Sequence, residues 1–281
     1  MAGPTIRKRQ LGAALRQLRT DAGETREQTA LVLDCSSTKV TYLESGRNVI
    51  GKTELIVLIQ HYGASAAGKL EALEELRKEA NKRGWWSTAR LPEWLATYVG
   101  LETDANSVRS FELELIPGLL QTEQYAREIH ALRGRLTSDD LERRVKARLR
   151  RQERLTTATD PLQLSALISE AALARCARQP SVAADQFQQL LDRAQLPNVE
   201  LQVLPFDAGL HSGMSGAFTL LSFPQGLLPD AGWQEYALGG HIIDDPSDVT
   251  SLTTLYDELR NQALGHDESL TLLTEFAENT H

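Results

Sequence analysis

The sequence predicts two folded parts in series: an all-α N-terminal domain built as a helix-turn-helix, then an α+β domain with a largely antiparallel sheet. Three observations carry this reading. Residues 11–63 hold four short runs with helical apolar spacing and a tight turn between the second and third. From Gly84 onward, strand-like runs alternate with helices. The charge divides along the same line. Residues 1–63 carry nine Lys/Arg against six Asp/Glu, and residues 64–281 carry 21 against 32, so a basic head precedes an acidic body.

In the head, Leu11, Leu15 and Leu18 recur at helical spacing, and Gly23 ends that first helix. Thr25 and Gln28 form a capping-box pattern at the start of helix 2, whose buried face is read as Ala30, Leu31 and Leu33. Asp34-Cys35-Ser36 makes the turn. Ser36 or Ser37 caps helix 3, which buries Val40 and Leu43 and stops at Gly46. Helix 4 covers about 52–62, with Leu55, Ile56, Leu58 and Ile59 inside. A further helix over 64–82 carries Leu70, Leu73 and Leu76 on one side, read first as packing against its own domain and second as a linker helix or dimer seam; three leucines are too few heptads for a coiled coil.

In the body, Trp85, Trp86, Trp94 and Tyr98 arrive close together. Strands are expected at 111–116, 162–168, 199–205, 218–223 and 233–238. Helices are expected at 122–132, at 138–155, from a cap at Ser181 to about 194, and at about 248–264 behind Asp245-Pro246-Ser247. The expected organisation is a DNA-binding domain at 1–63, a helical linker at 64–83 and a sensing and dimerisation domain at 84–281.

The head is where chemistry is legible. A helix-turn-helix presents its second helix to a DNA major groove, so the residues of helix 3 not needed for packing are the reading face. These are Ser37, Thr38, Lys39, Thr41 and Tyr42, with Ser36 at the cap. Small hydroxyls, a lysine and a tyrosine suit base edges and phosphates. Arg26 opens helix 2, and Arg47 and Asn48 follow helix 3, where phosphate clamps are expected. Double-stranded DNA is therefore an expected partner. The acidic body should weaken non-specific binding.

Other patterns carry less. Gly46 to Thr53 matches the spacing of a phosphate-binding loop, but a helix precedes it where a buried strand is required. His211, Ser212, Met214 and Ser215 lie in a Gly/Ser-rich stretch, read first as a loop between strands and second as a ligand or partner contact. The aromatic group Trp85, Trp86, Trp94 and Tyr98 is read first as packing and second as a pocket lining. The basic run from Arg143 to Arg154 is read as a solvated helix face. Scattered His and two distant cysteines, Cys35 and Cys176, give no metal-ligand spacing. No cofactor and no metal are expected. No nucleophile–base set or paired carboxylates support an enzyme. With no apolar run near the ~20 residues needed to span a membrane, no membrane partner is expected. A cytoplasmic, nucleoid-associated protein is.

Residues 11–63 resemble the XRE-type helix-turn-helix domain, lambda-repressor-like, through Glu44-Ser45-Gly46 at the end of helix 3 and Arg19 late in helix 1. The resemblance implies a structural ion pair between Arg19 and Glu44. The sequence departs at Thr29, where that family usually has leucine. Five further stretches, 83–86, 96–102, 116–127, 198–224 and 244–249, are similar to the large C-terminal domain of actinobacterial XRE regulators of the WhiJ-like group. That group implies a regulator of differentiation or secondary metabolism, often encoded beside a small partner protein; a homodimer is expected because one helix-turn-helix reads only a few base pairs. The alternative is an antitoxin-like interaction module whose main role is to bind that partner.

Overall fold

The computed structural model describes residues 4–63, 67–132, 136–224 and 228–279. The chain forms two compact units, the first comprising Met1–Trp85 and the second Trp86–Pro224 and Pro229–His281.

The first unit contains five helices among its described residues: α1 (Pro4–Asp21), α2 (Arg26–Val32), α3 (Ser37–Glu44), α4 (Lys52–His61) and α5 (Ala67–Ala80). Leu11, Leu15 and Leu18 of α1 meet Leu43, Ile50, Leu55, Leu58 and Ile59 in one core. Thr25 caps α2 with the full reciprocal box to Gln28, and Ser36 caps α3 by accepting from the Lys39 amide. Asp34 takes the left-handed conformation that the tight turn needs, at φ +49°. Two glycines allow α1 and α3 to approach. A Cβ on Gly12 would lie 2.5 Å from the Glu44 carbonyl oxygen. Gly46 sits at φ +70°, and its Cβ would lie 2.7 Å from Arg9 Cα.

One expectation for the head is corrected. Leu31 is not buried: it is 82% exposed. The seven-residue α2 turns Thr29 and Ala30 inward instead, and Thr29 is satisfied there, donating to the Thr25 carbonyl and pairing with the Tyr62 hydroxyl at 2.8 Å. The departure from leucine at Thr29 thus comes with a polar partner on α4's C-terminal side. α5 buries Leu73 in the head core and rests Leu70 and Leu76 against it, the packing against its own domain that its leucine face favours.

The second unit is built on a six-stranded sheet in the order β3-β2-β1-β4-β5-β6. The strands are β1 (Ser107–Glu112), β2 (Gln163–Ser169), β3 (Val199–Leu204), β4 (Phe218–Ser222), β5 (Ala231–Tyr236) and β6 (Gly239–Ile243). The helices are α6 (Glu93–Asp104), α7 (Glu123–Leu132), α8 (Ser138–Gln152), α9 (Glu170–Ala177), α10 (Ala183–Ala194), α11 (Pro246–Gln262) and α12 (His266–Glu278). The sheet is mixed and not largely antiparallel. β1 pairs with β2 and β2 with β3 in parallel, and β4, β5 and β6 are added antiparallel. The reason lies in the connections. Helices α7 and α8 separate β1 from β2, and α9 and α10 separate β2 from β3, long enough for parallel crossovers. The short links from β4 to β6 permit only a meander. β2 also shows nearly continuous burial, as a strand covered on both faces does.

One face of the sheet packs Phe111, Leu167, Phe218 and Leu220 against Val249, Tyr256 and Leu259 of α11. The Tyr256 hydroxyl donates to the Ser165 carbonyl at 2.8 Å, anchoring α11 over β2. Phe187 of α10 stacks on Phe276 of α12, with ring centroids 5.5 Å apart. The helix placed behind Ser181 starts one residue later, with Val182 at the cap position. α6, α9, β6 and α12 have no counterpart in the sequence reading.

Candidate nucleic-acid interface and an interior cavity

The second helix of the helix-turn-helix, α3, buries Val40, Leu43 and Glu44. The edge left outside carries Ser36, Thr38 and Thr41 exposed, Ser37, Lys39 and Tyr42 half-buried, and beyond the helix Arg47 and Asn48 exposed. Thr41 bonds back to the Ser37 carbonyl at 3.1 Å, so its hydroxyl oxygen retains acceptor capacity toward the outside. The Arg47 guanidinium lies over the Tyr42 ring, 4.6 Å from its centroid, which holds a cation beside α3 at low entropic cost.

Two of the cations expected on this face have protein partners. Lys39 Nζ lies 2.5 Å from Glu54 Oε1, and that hydrogen bond raises the lysine and lowers the glutamate from their ordinary values. Both ends are partly exposed, so a phosphate can replace Glu54 at little cost. Arg26 Nε donates to Glu44 Oε2 at 3.0 Å. Glu44 also receives Arg19, through Nε at 2.5 Å and Nη2 at 3.2 Å, and Arg19 in turn donates to the Glu24 carbonyl. One buried carboxylate thus ties α1, α2 and α3 together. Arg26 belongs to that tie, which fixes the turn geometry that aims α3.

In the second unit a cavity of about 720 Å³ lies between the sheet and helices α6, α7 and α8. Strand alternation builds its floor. Val108, Ser110 and Glu112 project from one face of β1, and Trp233 and Glu235 from β5. Helical spacing builds its roof from Leu95 and Tyr98 of α6 and from Arg148 and Arg151 of α8. Arg151 is fully neutralised by Glu102, in a bidentate pair at 2.6 and 2.7 Å with both side chains buried. Arg148 has no such partner: it makes no ion pair or hydrogen bond with any described residue, and burial followed by repulsion from Arg151 pushes it down to about 10. Glu112 likewise makes none. Burial first, then Glu235, pushes its carboxyl up to about 7, with Arg148 and Arg151 opposing.

The shift at Glu112 has a pH signature. A carboxyl raised in the folded state is favoured neutral, so the stability it permits is intact at acid pH and is lost as pH rises through about 7. Glu112→Gln stays neutral throughout. The melting temperature of the variant, relative to wild type, is expected to climb between about pH 5 and about pH 8, read by thermal denaturation. A constant difference over that range contradicts a perturbed Glu112.

Of the body residues offered by sequence as a possible ligand or partner contact, only Tyr98 lines this cavity, joined by Arg148 and Arg151 of the basic run. Trp94 stacks on Trp233 at 6.2 Å as wall support. Trp86 is buried, and Trp85 is half-buried in the other unit. His211 meets Phe111 edge-on at 6.0 Å, and a Cβ on Gly213 would touch Phe111 and Leu259, so that loop is seated on the far face of the sheet. Ser212 and Ser215 bound a short 3-10 turn there, and Met214 points outward, 57% exposed. The basic helix is not a solvated face throughout. Arg151 is buried, Arg154 donates to the carbonyls of Thr103 and Ala105, and Arg148 faces the cavity. The residue-by-residue charge count on α8 hid this, because the helix passes under the sheet on one side only.

Cys35 and Cys176 are free thiols, and burial pushes Cys176 up to about 12. Among the described residues no group of His, Cys, Asp or Glu is placed to hold a metal ion, and no helix is long and apolar enough to cross a membrane.

A family model described as a helix-turn-helix domain matches residues 10–73. A second, described as a domain of unknown function (DUF5753), matches residues 95–275. The chain belongs to the DUF5753 family and carries a helix-turn-helix domain at its N-terminus. No curated protein and no solved structure matches it.

Proposed function

We propose that this protein is a sequence-specific DNA-binding transcriptional regulator of the XRE type. The observation that carries the reading is the polar outer edge of α3, with Thr38 and Thr41 exposed on a helix whose other side is locked into the head core, and Arg47 and Asn48 exposed just beyond its end. The basic head and acidic body support a contact made by the head alone. The chain acts on near-palindromic DNA as a homodimer, because one helix-turn-helix reads only a few base pairs. Control runs through the DUF5753 unit, by a ligand or a small partner protein. Exposed Phe206, Leu210 and Met214 around the 206–214 segment support a protein contact there. We place the chain in the actinobacterial WhiJ-like group, acting in the cytoplasm at the nucleoid on differentiation or secondary metabolism, on the five stretches of sequence similarity described above.

The test separates base readout from phosphate contact. The double variant Thr38→Ala/Thr41→Ala is expected to lose about 1–3 kcal/mol on the preferred duplex and almost nothing on random DNA. Arg47→Ala is expected to weaken all duplexes alike and to flatten the salt dependence by about one unit of slope. Electrophoretic shift and fluorescence anisotropy at several salt concentrations measure both. Unchanged binding in both variants contradicts the assigned face.

A further inference from the structure

The cavity under α8 holds two opposite charges that do not meet. The Arg148 guanidinium and the Glu112 carboxyl both line it, and neither has a hydrogen bond or ion pair with any described residue. Two further polar atoms on its wall lack partners: Ser110 Oγ and Gln121 Oε1, on residues 5% and 2% exposed. Gln121 spends its amide on the Ile116 carbonyl at 2.7 Å, which fixes the side chain and leaves the oxygen free to accept. Buried polar groups are ordinarily satisfied, and a charge withdrawn from water without a partner is costly. Two buried acceptors without partners and two half-buried, unpaired charges around one space are therefore the outline of a polar ligand and not packing.

The wall also states the ligand's charge pattern. A simple anion would satisfy Arg148 and leave Glu112 beside Glu235. A simple cation would satisfy the carboxyl and leave Arg148 without a hydrogen-bonded partner, repelled by Arg151 and drawn only at a distance to Glu235. Only a molecule carrying both signs satisfies both groups without adding net charge to a desolvated site. The lining also offers apolar and aromatic surface, chiefly Leu95, Tyr98, Ile129 and Trp233, beside the polar His130, Thr219 and Glu235. A volume of about 720 Å³ lies within the range of small-molecule sites.

We propose that this cavity binds a small apolar zwitterion of the amino-acid type, its carboxylate on Arg148, its ammonium on Glu112 and its side group against Tyr98 and Trp233. Ser110 and Gln121 accept from the remaining ammonium hydrogens. The occupant is then an effector of the unit that governs the head. That role rests on the regulatory reading above, whereas the binding itself does not.

Isothermal titration of the full chain at about pH 8, where Glu112 is ionised, tests this with matched probes: L-phenylalanine, L-leucine and L-tryptophan against 3-phenylpropanoate and 2-phenylethylamine. At least one of the three amino acids is expected to bind with one site per chain. The monofunctional probes are expected to bind at least tenfold more weakly than phenylalanine. Arg148→Gln and the near-isosteric Glu112→Gln are each expected to weaken amino-acid binding at least tenfold, with thermal melting confirming that each variant is folded. Should Arg148→Gln not fold, the Glu112→Gln result and the probe series decide the matter. No heat from any amino acid at millimolar concentration, binding of phenylpropanoate as tight as that of phenylalanine, or affinity indifferent to Glu112→Gln overturns the proposal. A chain that binds phenylalanine but shifts no DNA leaves the cavity assignment standing and removes the regulatory reading; the reverse result does the opposite.

Discussion

Arg151→Ala is expected to destabilise the DUF5753 unit by about 3–5 kcal/mol, the cost of leaving a buried charge without its partner. Arg151 and Glu102 are the most enclosed ion pair among the described residues, with side chains 7% and 3% exposed. The attraction of Glu102 outweighs the burial that would otherwise lower the guanidinium. The pair joins α8 to α6 across 49 residues of sequence, and the guanidinium also lies over the Tyr98 ring at 5.2 Å. Its removal strands Glu102 in the interior beside the cavity. Tyr98 packs on Trp233 at 5.1 Å, so tryptophan fluorescence reports the unfolding directly. A second variant checks the cause. Replacing both partners with apolar residues, Arg151→Met with Glu102→Leu, should recover most of the loss, since an apolar pair leaves no charge behind. A single variant within about 0.5 kcal/mol of wild type contradicts this account of the unit's interior.

Glu44→Ala is expected to destabilise the head by on the order of 3 kcal/mol and to leave the body untouched. Glu44 is 8% exposed and receives both Arg19 and Arg26, of which Arg19 is itself largely enclosed. Deleting the carboxylate cuts α3 from α1 and α2 at one point. For a unit of this size the loss corresponds to roughly 10–20 °C in melting temperature. The four tryptophans all lie at or beyond residue 85, so their fluorescence is a poor witness for the head. Hydrogen exchange on the full chain resolves it: amides of α1 to α4 should exchange faster, while those of β1 to β3 keep wild-type rates. Uniform protection in both units would show that the Glu44 tie contributes nothing to stability.

These two pairs differ in how far the sequence discloses them. Helical spacing and caps place all four helices of the helix-turn-helix, because each cap is a local event between residues three apart. Arg19 and Glu44 come to notice through resemblance, since nothing local links residues 25 positions apart. Arg26 on Glu44 and Lys39 on Glu54 escape notice for the same reason. Leu31 misleads because a seven-residue helix has too few apolar positions to define a face, and the buried polar Thr29 takes the place expected of a hydrophobe.

In the body, single strands are visible as apolar runs, but their partners are not. Parallel pairing of β1, β2 and β3 depends on which way the α7–α8 and α9–α10 connections run, a non-local choice. The cavity is less legible still. Its polar wall is assembled from β1, β5 and α8, which lie more than a hundred residues apart in places. Arg148 sits among six other basic residues between 143 and 154, and only the packing of α8 against the sheet separates it from them. Its signs in the sequence are Tyr98, one of a close group of aromatics, and the basic run that holds Arg148 and Arg151, and neither points to the other.

Whether α3 reads DNA sequence is decided by selection of random duplex DNA with the full-length chain, followed by sequencing, with the Thr38→Ala/Thr41→Ala variant run in parallel. One enriched motif of two related half-sites about one helical turn, roughly 10 base pairs, apart is expected, and loss of that motif in the variant. No enrichment by the wild type, or the same motif recovered by the variant, would contradict base readout by α3.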